Sequence, residues 1–280
     1  MAHHYVPKYY LKGFSERSGK TIWVYDKQDD KYPTQVDSTA KEAMFYSPKI
    51  EQYLANDVEG PANAVIKKIR IRSQVTDYDK KILAEYMAVM MKRVPQGKER
   101  IRELAPSIAE KMSHEITSQF TIIASIQPEK AILIQRRISE IQEILDRYSE
   151  DPPKDVWLKN IPPDRSPQVV AAIRGMTWRF LTFEDLPVFL TCDNPFFYFT
   201  RIGLGNPKSE ITFPISSHIT LWATWRTDLA EGYFNTTKQA IREVNRRTAY
   251  NATRYVFHCK EENWILPFVK KGKWKLNFLH

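Results

Sequence analysis

The chain has 280 residues, 42% hydrophobic and 27% charged, the balance of a folded protein large enough to bury a core without disulfide or metal staples. Its formal net charge of +9 favours polyanionic partners. Two cysteines, Cys192 and Cys259, are too few for a disulfide-stapled secreted domain, and no stretch approaches the roughly 20 apolar residues that span a bilayer.

The opening Met1-Ala2-His3-His4-Tyr5-Val6-Pro7 lacks the basic stretch and apolar run of a secretory signal, so the expected setting is cytoplasmic, with no membrane partner and both thiols as small core residues. Pro7 is suited to open a short helix through Phe14. Ser18-Gly19 reads as a turn, and the β-branched, aromatic run Thr21-Ile22-Trp23-Val24-Tyr25 as a strand. A helical middle follows. Pro48 to Val58 is one helix, which Gly60-Pro61 is expected to interrupt, and Pro61 restarts a helix through Arg72. Thr76 or Asp77 caps the next, with Ile82, Leu83, Tyr86, Met87, Met90 and Met91 on one face and Pro95 and Gly97 at its end. Stripes at Ile101, Leu104, Ile108, Met112, Ile116 and Phe120, and at Ile134, Ile138, Ile141 and Leu145, predict helix-on-helix core packing.

Asp151 to Asp164 holds prolines 152, 153, 162 and 163 and reads as a boundary poor in helix. Beyond it the pattern predicts strands over Met176–Phe183, Val188–Cys192, Ile219–Trp225 and Arg254–Cys259, and a helix from Thr236 to Ala252. A turn at Lys271-Gly272-Lys273 precedes an apolar run from Trp274 to Phe278. Strands grouped at the ends and helices in the middle argue an α+β fold, a predominantly helical middle with short strands from the N- and C-terminal segments meeting in one mixed or antiparallel sheet. The whole is read as one domain, 1–280, with a β/α segment 1–47, a helical region 48–150 and an α+β segment 151–280.

No phosphate loop, C-x-x-C, H-E-x-x-H or G-x-S-x-G occurs, and Gly203-Leu204-Gly205 meets Lys208 where a dinucleotide turn needs its third glycine. Three basic clusters stand out: Lys67, Lys68, Arg70 and Arg72; Arg242, Arg246 and Arg247; and Lys270, Lys271, Lys273 and Lys275. Each is either a solvated face or a polyanion contact. His3-His4 supplies a metal ligand, a general base or a phosphate contact, or else caps a packed N-terminus. At Leu190-Thr191-Cys192-Asp193-Asn194-Pro195 an apolar strand ends in a carboxylate and an amide, which either face a cleft or close the strand as an Asx-turn. Glu59 is a cap or an active carboxylate. Arg93 complements a helix end or binds an anion. Asn245 is a helix-interior amide with a partner or a substrate contact.

These clusters carry a resemblance. His3-His4-Tyr5-Val6-Pro7-Lys8-Tyr9-Tyr10-Leu11-Lys12-Gly13-Phe14 resembles the opening signature of domain-of-unknown-function family 4238, and Ile22 to Asp26, Glu59 to Ala62, Arg93 before Pro95, Thr191 to Pro195, Ile211 to Ser216 and Val244-Asn245 resemble its later blocks in order. Cys192 departs from the serine expected there. The resemblance implies a family without a reaction, and it favours His3, His4, Glu59, Arg93, Asp193 and Asn194 as one site.

Two functions fit these residues. One is a phosphodiester-cleaving enzyme on RNA or DNA. There His3, His4, Glu59 and Asp193 bind a divalent metal, Mg or Mn, or act as acid and base, while Arg93 holds phosphate. The other is a non-catalytic nucleic-acid or protein-binding module using the same basic charge.

Overall fold

The computed structural model describes residues 2–184, 186–272 and 274–279. The chain divides into two compact units, a larger one of residues 1–95 and 161–280 and a smaller one of residues 96–160. The larger begins with β1 (Ala2–His4), α1 (Lys8–Leu11) with a 3-10 turn to Phe14, β2 (Thr21–Asp26), β3 (Lys31–Gln35) and β4 (Lys41–Ala43). α2 (Pro48–Tyr53) then runs unbroken through a π-helix (Leu54–Glu59) into α3 (Gly60–Arg70). Gly60-Pro61 therefore does not interrupt the helix as expected. The wide turns of the π segment carry the hydrogen-bond ladder past Pro61, whose missing N–H falls in the first turn of α3, where no donor is needed. α4 (Asp77–Arg93) starts with a capping box: Thr76 Oγ1 accepts the Asp79 amide, and the Asp79 carboxylate accepts the Thr76 amide.

The smaller unit consists of α5 (Pro95–Ile126), α6 (Ala131–Glu150) and α7 (Lys154–Asn160). Pro95 opens a helix here, and Gly97 lies within it. The stripe expected to be core is only partly covered: Ala109, Ile134 and Leu145 are buried, but Leu104, Ile108 and Met112 are 52%, 49% and 45% exposed. Two long helices joined by contacts such as Ser113 Oγ to Gln142 Oε1 at 2.5 Å cover one side of each stripe and leave its flank open. The proline-rich boundary also holds more helix than expected, because Pro153 stands just ahead of α7 and Pro162 beyond it, where neither removes a needed donor.

The larger unit resumes with α8 (Pro167–Gly175), β5 (Thr177–Thr182), β6 (Thr191–Cys192), β7 (Phe197–Tyr198), β8 (Glu210–Ser216), β9 (Ile219–Thr224), β10 (Gly232–Asn235), α9 (Lys238–Asn251), β11 (Tyr255–His258) and α10 (Ile265–Lys270). The two strand-bearing ends do meet, in an antiparallel sheet of order β3-β2-β11-β6. The other C-terminal strands build a second, mixed sheet, β10-β5-β9-β8-β7, in which β10 and β5 run parallel, while β1 and β4 form a separate ladder. The apolar run from Trp274 takes no regular structure: residues 274–279 run irregularly, and Lys273 of the expected turn lies outside the described residues.

α9 joins the cores of both sheets. Ala249 packs with Tyr25, Leu190, Cys192 and Val256 beside the four-stranded sheet. Ile241 and Val244, roughly one to two turns earlier, pack with Phe189 and with Leu181 and Trp222 of the five-stranded sheet. Cys192 and Cys259 are buried and free. No helix among the described residues is long and apolar enough to cross a membrane.

The opening segment is bolted to this frame. Tyr10 Oη lies 2.7 Å from Thr191 Oγ1 on β6, and Arg70 donates to the carbonyls of Tyr9, Tyr10 and Ile215. Gly13 sits where a Cβ would stand 2.7 Å from the Ile215 carbonyl oxygen and 2.3 Å from an Arg70 nitrogen. Gly13→Ala is expected to lower stability by about 1–3 kcal/mol through overpacking against backbone, read as a fall in urea midpoint; an unchanged midpoint would contradict this packing.

Candidate functional site

Four of the six expected site residues come together around Arg93. Its guanidinium ends α4 and is 1% exposed. Nη1 donates to Glu59 Oε1 at 2.6 Å, Nη2 to the His4 carbonyl at 2.7 Å and Nε to Tyr46 Oη at 3.3 Å. Tyr46 Oη returns a bond to the Arg93 carbonyl at 2.6 Å. Burial works against the charge, but Tyr46 and Glu59 outweigh it and hold the guanidinium protonated beyond the ordinary arginine range. Glu59 is delivered by the end of the π-helix, where the widened turns set its direction.

His3 lies beside this knot, buried, on the β1–β4 ladder. Its Nδ1 accepts the Tyr46 amide at 3.0 Å and its ring stacks on Tyr46 at 5.9 Å. Nδ1 is thus the unprotonated nitrogen of the neutral ring. His4 is half-buried with Nε2 shielded and unpartnered. Burial, then the Lys8 charge, push its imidazole below the ordinary value. Sequence reasoning missed Glu51, whose carboxyl burial pushes up while Arg93 and His3 pull it back; one of its oxygens is shielded and unpartnered. Nothing in its spacing distinguishes Glu51 from a surface glutamate at the start of α2.

Asp193 and Asn194 occupy the crossover from β6 in one sheet to β7 in the other. The Asp193 carboxylate accepts the amides of Thr253, Arg254 and Tyr255 at 2.8, 2.7 and 2.9 Å. Burial pushes its carboxyl up, and these three donors and Lys27 pull it down. Asn194 Nδ2 donates to the Asn251 carbonyl at 3.2 Å, and Asn251 Nδ2 donates back to the carbonyls of Asn194 and Phe196. Among the described residues, neither Asp193 nor Asn194 hydrogen-bonds or ion-pairs with His3, His4, Glu59 or Arg93. Asp193 therefore acts as the anion that caps the chain entering β11. Among the described residues, no three His, Cys, Asp or Glu side chains gather as a metal site.

The basic clusters separate in the same way. Lys68 is paired with Asp79, Arg70 with three carbonyls and Arg72 with Glu184. Asn245 is likewise structural, accepting the Leu190 amide and donating to the Val188 carbonyl. Lys238, Arg242 and Arg246 differ. Spaced by four, they form one ridge along α9 that lines a cleft of about 990 Å³. Lys260, Lys271 and Lys275 line it too, against one acid, Glu262. Among the described residues, Lys238, Arg242, Lys260, Lys271 and Lys275 make no ion pair, while Arg246 meets Glu243 at 3.3 Å. Trp264, Phe268 and Trp274 supply the facing aromatic wall, with Lys271 Nζ 5.9 Å from the Trp274 ring centre. The four-residue spacing of the α9 cations was the available signal for this cleft.

Fold and site together define a basic α+β protein with a cation-lined, aromatic-walled cleft. The family described as Protein of unknown function (DUF4238) matches residues 2–262, and the chain belongs to it. No curated protein and no solved structure matches the chain.

The capping role of Asp193 is open to measurement. Asp193→Asn replaces an acceptor with a donor facing three amides and is expected to cost about 2–3 kcal/mol of unfolding free energy, with no ligand present; a urea midpoint equal to that of the parent would overturn the assignment.

Acid is expected to weaken the fold through His4 and His258. His258 is fully buried, and burial dominates in pushing its imidazole, like that of His4, below the ordinary 6.5. The unfolded chain takes up both protons as pH falls below that value while the folded chain resists them, so stability is full above it and is lost on acidification. The urea midpoint should drop from about pH 7.5 to about pH 5.5, and drop less in His4→Gln. A flat profile would show that neither ring is held neutral.

Proposed function

We propose that this protein binds nucleic acid, RNA or DNA, through the α9 cleft without cleaving it. The observation that carries this reading is the set of five cations, unpaired among the described residues, sharing one cleft with three aromatic side chains. Cations that neutralise phosphates supply affinity by releasing counterions, and aromatic faces stack on bases of any sequence. A solvated basic face would not need to be concave or walled by tryptophan.

The phosphodiester-cleaving reading has less support. It needs a free carboxylate and a free guanidinium opposite an imidazole, but Asp193 already accepts three amides and Arg93 donates to Glu59, His4 and Tyr46. His3 and Glu51 remain its best acid–base pair. The two free, buried thiols fit a reducing, cytoplasmic setting.

Fluorescence anisotropy with labelled RNA and DNA oligonucleotides at several salt concentrations tests the reading. Binding is expected to weaken as salt rises, and Lys238→Ala/Arg242→Ala should reduce the log–log salt slope by about 1.4 on single strands, about 0.7 per lost phosphate contact. Salt-insensitive binding, or an unchanged slope, would place the ligand elsewhere. Cleavage with Mg²⁺ or Mn²⁺ that disappears in His3→Ala would instead establish the enzymatic reading.

A further inference from the structure

Resting on that reading, we infer that the cleft takes unpaired nucleotides of a single strand, their bases against Trp264 and Trp274 and their phosphates along Lys238, Arg242 and Arg246. Two features of the cleft set this ligand class. The first is size. A volume of about 990 Å³ suits one or two nucleotides. The second is the arrangement of its walls. One wall is the charged ridge of α9. The other is a chain of rings, in which Trp264 and Phe268 lie 5.6 Å apart and Phe268 and Trp274 4.6 Å apart. Trp264 is 44% exposed, so its ring face is offered to the cleft and not consumed in the core. A duplex hides its base faces, and only an unpaired base can use such a wall.

The aromatic wall belongs to the segment after residue 262, where the family match ends, whereas α9 lies inside the match. The wall is also held in register from beneath. The Asn277 amide donates to Glu243 Oε1 at 2.8 Å, the Leu279 amide reaches both Glu210 oxygens at 3.1 Å, and Arg247 Nη2 donates to the Asn277 carbonyl at 2.6 Å. Trp274 itself packs on Phe268 and on the core beneath it, so its ring is placed before a ligand arrives. The charged ridge is thus the sequence-blind part of the cleft, and the C-terminal wall is the part that distinguishes strands from duplexes and bases from bare polyanions.

The experiment compares four probes on the full-length protein: a 12-nucleotide single strand of RNA, one of DNA, the matching duplex, and heparin, a polyanion without bases. Anisotropy and intrinsic tryptophan fluorescence are read for the parent, Trp264→Ala/Trp274→Ala and Trp264→Phe/Trp274→Phe. The parent should prefer single strands to duplex and show tryptophan quenching on binding them. The double alanine variant should lose roughly tenfold per stacked base on single strands and keep its heparin affinity, while the phenylalanine variant recovers most of the loss. A urea midpoint close to that of the parent shows that the alanine variant is folded. Equal binding of duplex and single strand by the parent, or single-strand binding unchanged in the alanine variant, would overturn this inference while leaving nucleic-acid binding intact. Absence of nucleic-acid binding by the parent would instead remove the reading on which it rests.

Discussion

A guanidinium taken out of water must be met by anions and acceptors, and Arg247 imposes that demand at the centre of the larger unit. It is fully buried, with Nη2 2.6 Å from Glu210 of β8 and Nε 3.6 Å from Glu243 of its own helix. Phe197 and Phe199 lie with their rings 5.3 and 5.0 Å from it, so it has no aqueous alternative. The two carboxylates have oxygens left over, and the tail supplies the amides that satisfy them. Sheet, helix and C-terminal segment are therefore tied by one charge. Arg93 repeats the device near the N-terminus, tying α4, the π-helix and β1. Both ties use segments distant in sequence, and both position a surface while their own atoms stay inside the protein.

Much of the fold was legible because local chemistry and tertiary need agreed. The β-branched run at β2, the capped start of α4 and the spacing of Ile241, Val244 and Thr248 on α9 each had one outcome. Failures arose where a local signal had two. Gly60-Pro61 looks like a break, but a proline in the first turn of α3 is as good a start, and the π segment ahead of it removes the conflict. The stripe on α5 has core periodicity, but periodicity says which face is apolar, not how much protein covers it. β3 was hidden by Pro33, which sits on an edge strand where a missing donor is tolerated. The apolar run from Trp274 carried no signal for its anchoring, in which the Asn277 and Leu279 amides bond to buried carboxylates.

The polar residues were legible as a set, and their local partners were not. His3, His4, Glu59 and Arg93 do converge, yet mainly to hold each other. Asp193 and Asn194 close a crossover between sheets. A sequence shows that a carboxylate ends a strand; it does not show that three amides 60 residues later will occupy it. The cleft was missed for the converse reason. Arg242 and Arg246 stood in one cluster, Lys271 and Lys275 in another and Lys238 and Lys260 in none, and only the packing of α9 against the tail brings them to one concave surface while Arg247 turns inward.

The pairing of β2 with β11 also bears on how the chain is made. Asp26 and Arg254 close a bond across 228 residues. A ribosome adding about 5–20 residues per second leaves β2 without that neighbour for on the order of 10–45 seconds. Through that interval Trp23 and Tyr25 have only β3 beside them, an amphipathic hairpin with one raw edge. Lys20, Lys27 and Lys31 surround it, and charge at the borders of an unfinished sheet discourages pairing with a neighbouring nascent chain. In the finished molecule Lys27 and Lys31 turn to the late segments instead, Lys27 donating to the Ala252 carbonyl and Lys31 meeting Glu261.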